Sequence, residues 1–187
     1  MSMFCYQCQE TAKGTGCALR GVCGKTADVS NLQDLLIYTL KGISAYALKA
    51  RQAGVATPVE DKFIMEGLFA TITNANFDKA YFVELIHKAL AIREATKDLL
   101  KEAGVAFTIQ HDSALWHAEE LSEIEAKAAT VGILATENED VRSLRELLTY
   151  GVKGMAAYAE HAYTLGYKED GLFLFMQKAL VATTNDS

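Results

Sequence analysis

After Cys23 the chain has no cysteine at all, although 164 residues follow it. Proline occurs once, at Pro58, and only 13 glycines are present, four of them between Gly14 and Gly24. With so few breakers, long helices joined by short turns are expected. No run of ~18 apolar residues exists, so no membrane span is expected. The net charge of −6, without a basic run, argues against a nucleic-acid or polyanion partner. The first residues, MSMFCYQC, lack the basic-then-apolar layout of a secretory signal, and a cytoplasmic location is the expectation. There is no Ser/His/Asp or Cys/His arrangement for nucleophilic catalysis and no phosphate-binding glycine loop.

What remains is apolar spacing of helical period, and the fold class read from it is all-α. Ser30 and Gln33 read as a capping box for a helix whose stripe is Leu32, Leu35, Leu36, Leu40, Ile43 and Ala47. A second helix opens at Thr57-Pro58-Val59-Glu60, with Pro58 at its first turn and Glu60 completing a box, and runs to about Thr73. A third spans about Asp78 to Ala103, closed by Gly104. Val105–Ile109 is the nearest candidate for a strand, short and isolated. Helices are further expected over about 118–129, 140–165 and 168–183.

The segment LQDLLIYTLKGISAYA at 32–47 returns as LRELLTYGVKGMAAYA at 144–159, with nine of sixteen positions identical. Such self-similarity signals a repeated structural unit. ATITN at 70–74 lines up loosely with VATTN at 181–185. The chain therefore divides into a cysteine-rich segment 1–28, a first helical bundle 29–135 and a second bundle 136–187. The second lacks a counterpart of the third helix, which would leave Leu144, Leu147, Leu148 and Met155 exposed and favour self-association. Gly42 and Gly154, both in mid-helix at about 1 kcal/mol each against Ala, hint at close helix approach; plain tolerance is the alternative.

All four cysteines lie in Cys5-x2-Cys8-x8-Cys17-x5-Cys23. Two disulfides suit a small secreted domain, not a chain with a core of this size. Four thiolates can hold zinc, but zinc sites usually show two close pairs and here only Cys5/Cys8 is tight. Uneven spacing with glycine-rich connections suits an iron–sulfur cluster, a larger object. Lys13, Arg20 and Lys25 offset thiolate charge, or are simply solvated loop charges. Spacing alone favours a cluster over zinc and leaves both open.

The same residues carry a family resemblance. MFCYQCQETAKGTGC, GVCGK, NLQDLLIY, GLFATITNANFD and VGILATENEDVRSLRELL resemble the N-terminal part of the hybrid cluster protein family, also called prismane or hydroxylamine reductase. The resemblance covers residues 3–185 and is weakest over 105–125. It implies a first domain of two three-helix bundles and a [4Fe–4S] cluster on Cys5, Cys8, Cys17 and Cys23. That cluster would pass electrons to a second, hybrid centre reducing hydroxylamine or nitric oxide under nitrosative stress. The hybrid centre needs later cysteines, which this chain lacks, so an electron-transfer part without turnover of its own is expected. Its partners would be a redox protein or the missing catalytic domains. A structural or assembly domain with zinc on the same thiols is the alternative.

Other candidates read as ordinary. His111 and His117 beside Trp116 suit a surface loop, and His87 and His161 suit helix faces. The pairs Tyr38/Tyr46 and Tyr150/Tyr158 suit packing, and the acids at 137–140 suit a helix start.

Overall fold

The computed structural model describes residues 2–185. The chain is all-α, with α1 at Ala27–Gln52, α2 at Pro58–Ala70, α3 at Lys79–Glu102, α4 at Asp112–Leu115, α5 at Leu121–Ala128, α6 at Glu139–Thr164 and α7 at Asp170–Ala182. Among the described residues the only β pairing is an isolated antiparallel bridge between Cys5 and Cys17. No described helix is long and apolar enough to cross a membrane.

α1 is the central element. Its stripe Leu32, Leu35, Leu36, Leu40, Ile43 is fully buried in one apolar cluster with Phe63, Ile64 and Leu68 of α2, Phe82 and Ile86 of α3, Val152 and Ala156 of α6, and Phe173 and Met176 of α7. The hydrophobic transfer that holds the fold is concentrated there, at roughly 1.5–3 kcal/mol per fully buried large aliphatic side chain. Arg51 near the end of α1 ties three helices together, donating to Asp61 Oδ2 on α2 at 2.6 Å and to both oxygens of Asp170 on α7.

The helix starts differ from expectation in instructive ways. α1 begins at Ala27, not Ser30, and Ser30 caps nothing with its side chain: its backbone N–H donates to Thr26 O. Gln33 is drawn away, donating to Asn76 O at 3.0 Å and accepting from Lys25 Nζ at 2.6 Å. Pro58 does open α2, but Glu60 accepts from Thr96 Oγ1 on α3 instead of reaching back. α2 ends at Ala70, where the hydroxyl of Thr71 bonds Leu68 O. α3 is as expected, with Asp78 Oδ1 capping Ala80 and Tyr81 and Gly104 turning at φ 67°. α6 opens one residue before the expected 140, with the Asn138 side chain accepting from Val141 N.

Residues 105–109 form an unpaired extended strap. Val105, Phe107 and Ile109 pack on Tyr46, Ala50 and Leu100, with the Phe107 ring edge-on to Tyr46 at 5.4 Å. The alternation is that of a strand, but among the described residues it joins no ladder.

The repeat is a structural one. From Ala27 to Glu139 and Gln52 to Thr164, and from Pro58 to Asp170 and Ala70 to Ala182, the interval is 112 residues at every boundary. The tail alignment shifts by one from the expected register: Thr71 matches Thr183, and each hydroxyl donates to the carbonyl three residues back, Leu68 and Leu180.

Candidate cluster site

The cysteine segment forms no disulfide; all four thiols are free. Cys5 and Cys17 face each other across the antiparallel bridge, with Cys5 N donating to Cys17 O at 3.1 Å and Cys17 N to Cys5 O at 2.8 Å. Gly16, at φ 140°, lets the chain enter this bridge, and a Cβ there would strike the Phe4 ring at 2.6 Å. Beyond the bridge, Gly21 N bonds Lys25 O and Gly24 N bonds Gly21 O, closing the turn that carries Cys23. A Cβ on Gly21 would sit 2.9 Å from Cys23 Sγ, so the absence of a side chain admits the sulfur. The first bond that anchors this loop to the helices is Asn31 Nδ2 to Ser2 O. Lys25 Nζ to Gln33 Oε1 and Thr73 Oγ1 to Gln7 O are two more.

Cys17 is the buried member. Its sulfur accepts the Ala12 N–H at 3.4 Å and lies 3.6 Å from the Thr11 hydroxyl. The backbone N–H groups of Ala12 and Val22 hold this thiol below its ordinary pKa, with smaller help from Thr11 and the nearby Lys25 charge, against the opposing effect of burial. Lys25 is 3% exposed and stacks 5.9 Å over Phe77, whereas Lys13 and Arg20 are solvated. Cys5 and Cys8 are half-buried and Cys23 is exposed.

Among the described residues no three Cys, His, Asp or Glu groups are gathered closely enough to hold a single metal ion. The donor set is nevertheless the one that iron–sulfur clusters use, four thiols on glycine-bearing turns with amide hydrogen aimed at sulfur. Beside Cys8 opens a cavity of about 820 Å³ lined by Tyr6, Gln7, Glu146, Leu147, Tyr150 and Lys153. His111 caps α4 through Nδ1, which accepts from Ser113 N at 3.2 Å. His117 is exposed, its Nε2 3.9 Å from Glu119 Oε1. His87 is exposed on α3, and exposed His161 packs edge-on against Phe69 at 5.7 Å.

The Prismane/CO dehydrogenase family pattern matches residues 3–187. The chain belongs to this family. A protein named hydroxylamine reductase from Desulfitobacterium hafniense (strain Y51) is 65% identical over 188 residues, covering 100% of this chain and 34% of its own length. Proteins of the same name from Clostridium novyi (strain NT) and Clostridium botulinum (strain Kyoto / Type A2) are 62% and 51% identical, with 34% and 37% of their lengths covered. The chain thus spans about a third of the length of the curated relatives it matches. The prismane likeness read from the cysteine segment and the helical motifs therefore holds across the chain.

Two features escaped the sequence reading. Arg93, one of the largest fully buried side chains, donates from Nη1 to Ser113 O at 3.0 Å. Its only signal was a charge on the inward stripe of α3. Asp34 and Glu146 lie at matching, non-identical positions of the repeat, and counting identities alone passed over a carboxylate kept in both copies.

Proposed function

We propose that Cys5, Cys8, Cys17 and Cys23 hold one [4Fe–4S] cluster, and that the chain is the electron-carrying part of a hydroxylamine-reducing protein of the prismane family. The carrying observation is Cys17. It is paired with Cys5 across a bridge, buried, and its sulfur receives an amide hydrogen that favours the thiolate. Four unevenly spaced thiols on glycine-bearing turns suit an object several atoms across better than zinc. When bound, the cluster supplies one-electron storage. The protein's own part is to hold the thiolates, exclude water at Cys17 and set the local field with Lys25.

The second metal centre of hydroxylamine reduction has no thiol ligands in this chain, since none follows Cys23. The partner is then the rest of the longer protein or a separate redox protein, working in the cytoplasm. Leu19 and Val22, beside Cys17 and Cys23, are 83% and 62% exposed and offer such a partner an apolar rim.

A second copy of the chain fits another face. Leu144 and Leu147 on α6 are 68% and 70% exposed and Tyr158 83%, while the matching Leu32, Leu35 and Tyr46 of α1 are all 1% or less. Of the stripe expected to be exposed, Leu148 and Met155 instead pack partly against the core. Two antiparallel copies of α6 would set the acids Glu139 and Asp140 of one against His161 and Lys168 of the other.

Anaerobic reconstitution with iron and sulfide tests the cluster. Near four iron and four sulfide per chain, with an EPR signal on one-electron reduction, is expected. Stoichiometric zinc with a silent spectrum overturns it in favour of a structural zinc domain.

A further inference from the structure

Asp34 and Lys41 of α1 and Glu146 and Lys153 of α6 occupy the same positions of the two repeat units, two turns apart on each helix. All four line a cavity of about 390 Å³ between the units. Glu146 and Lys153 also line the larger cavity that reaches Cys8, so the two spaces share a wall. Among the described residues no ion pair joins any two of the four, and the one hydrogen bond they make is Lys153 Nζ to Thr71 O at 3.5 Å. Lys153 is buried and Asp34, Lys41 and Glu146 are half-buried; charges withdrawn from water without a partner respond by moving toward neutrality.

They have done so here. Burial pushes Asp34 up to about 7, opposed first by the Lys153 charge, and burial also raises Glu146. Burial lowers Lys153 to about 8 and lowers Lys41. The charge of Cys5 is felt at Lys153, and Lys153 is the strongest charge acting on Asp34. Lys153 is thus a common neighbour of the four-cysteine site and of Asp34, with Cys5 the weakest of the groups acting on it. The other charged groups facing the cavity are Lys25 of the cysteine loop, Arg145 of α6, and His111, Asp112 and Lys127 from the α4–α5 side. Of these, Asp112 is already committed to Lys127 Nζ and the Tyr38 hydroxyl.

We propose that this cavity is a redox-linked proton site, in which the carboxylate of Asp34 takes one proton from solvent when one electron enters the four-cysteine site. The electron comes from a one-electron donor such as a small iron–sulfur or flavin protein, and the carboxylate becomes a carboxylic acid, so the net charge of the buried region is unchanged. Neutralising the added charge on the spot spares the low-dielectric interior an uncompensated ion. The proposal rests on the cluster reading above.

The test uses the full chain, reconstituted anaerobically, with iron and sulfide measured before titration. The midpoint potential should fall as pH rises above 7, with a slope approaching about 59 mV per tenfold change in proton concentration. Asp34→Asn should flatten that slope and Asp34→Glu should retain it, while Asp98→Asn on the far surface leaves it unchanged. The reduced-minus-oxidised infrared spectrum should gain a carboxylic C=O band that Asp34→Asn lacks. Should Asp34→Asn lose its helical circular dichroism, Glu146→Gln serves instead, shifting the onset to lower pH by removing a like charge. A loaded chain with a pH-independent potential, an unaltered slope in Asp34→Asn, or an unmoved onset in Glu146→Gln sinks the proton site alone. Zinc without iron sinks the cluster reading first, and the metal analysis tells the two failures apart.

Discussion

Gly42 and Gly154 stand at the same position of the two repeat units in opposite surroundings. A Cβ on Gly42 would lie 2.1 Å from Ser113 O, so the α4 segment rests directly on the α1 backbone, whereas Gly154 has nothing within 4 Å. Gly154→Ala should stabilise the chain by about 1 kcal/mol through helix propensity alone. Gly42→Ala should destabilise it by about 1–3 kcal/mol through the forced shift. Urea midpoints of the two variants would decide, and equal shifts in one direction would refute the difference. Arg93 belongs to the same contact. Arg93→Ala, leaving Ser113 O without its donor, is expected to cost about 3 kcal/mol by the same measurement. At the site itself, Cys17→Ser should lower the iron retained after desalting more than Cys23→Ser does, because Cys17 is buried and its sulfur receives the Ala12 N–H whereas Cys23 is exposed.

Helix by helix, the distinctive element pair is α1 with α6, which carries the four unpaired charges. Asp34 has a folded pKa of about 7, above its unfolded value, so the folded state binds the extra proton between those two values. Its contribution to stability therefore declines as pH rises from about 4 to 7. Lys153 has a folded pKa of about 8, below the unfolded 10.5, so the unfolded state binds more protons between them and stability recovers as pH rises from 8 towards 10. Chemical denaturation across pH 4–10 should show a minimum between 7 and 8. Asp34→Asn should reduce the acid-side decline, the remainder coming from Glu146 and Asp61, which burial also raises, and a profile identical to wild type would contradict the assignment. The boundaries of these helices were legible to within a few residues, since apolar spacing and Pro58 or Asp78 mark them locally. The caps at Ser30 and Glu60 were not, because Gln33 and Glu60 spend their side chains on Asn76 and Thr96, partners 43 and 36 residues away.

For the whole molecule, the exposed α6 face is the main open question of assembly. Light scattering coupled to size exclusion should show mass rising with concentration, and Leu147→Glu should hold the chain monomeric. A monomer at all concentrations without binding of a hydrophobic dye would count against pairing. High salt should weaken such an association, because in an antiparallel pairing the acids at one helix start would face Lys168 beyond the other helix's end.

By itself, the sequence determined the all-α class, the repeat and the four-thiol constellation. Each rests on local spacing or on residues counted along the chain, and the family match agrees with them. Only the tertiary structure decided which of two near-identical stripes is core and which is surface. Leu32 and Leu144 carry the same side chain in the same local pattern; their burial differs because α3 packs along α1 and not along α6. The charge quartet is of the same kind. Single acids and lysines seven residues apart look like solvated helix charges until two helices 112 residues apart bring them to one cavity.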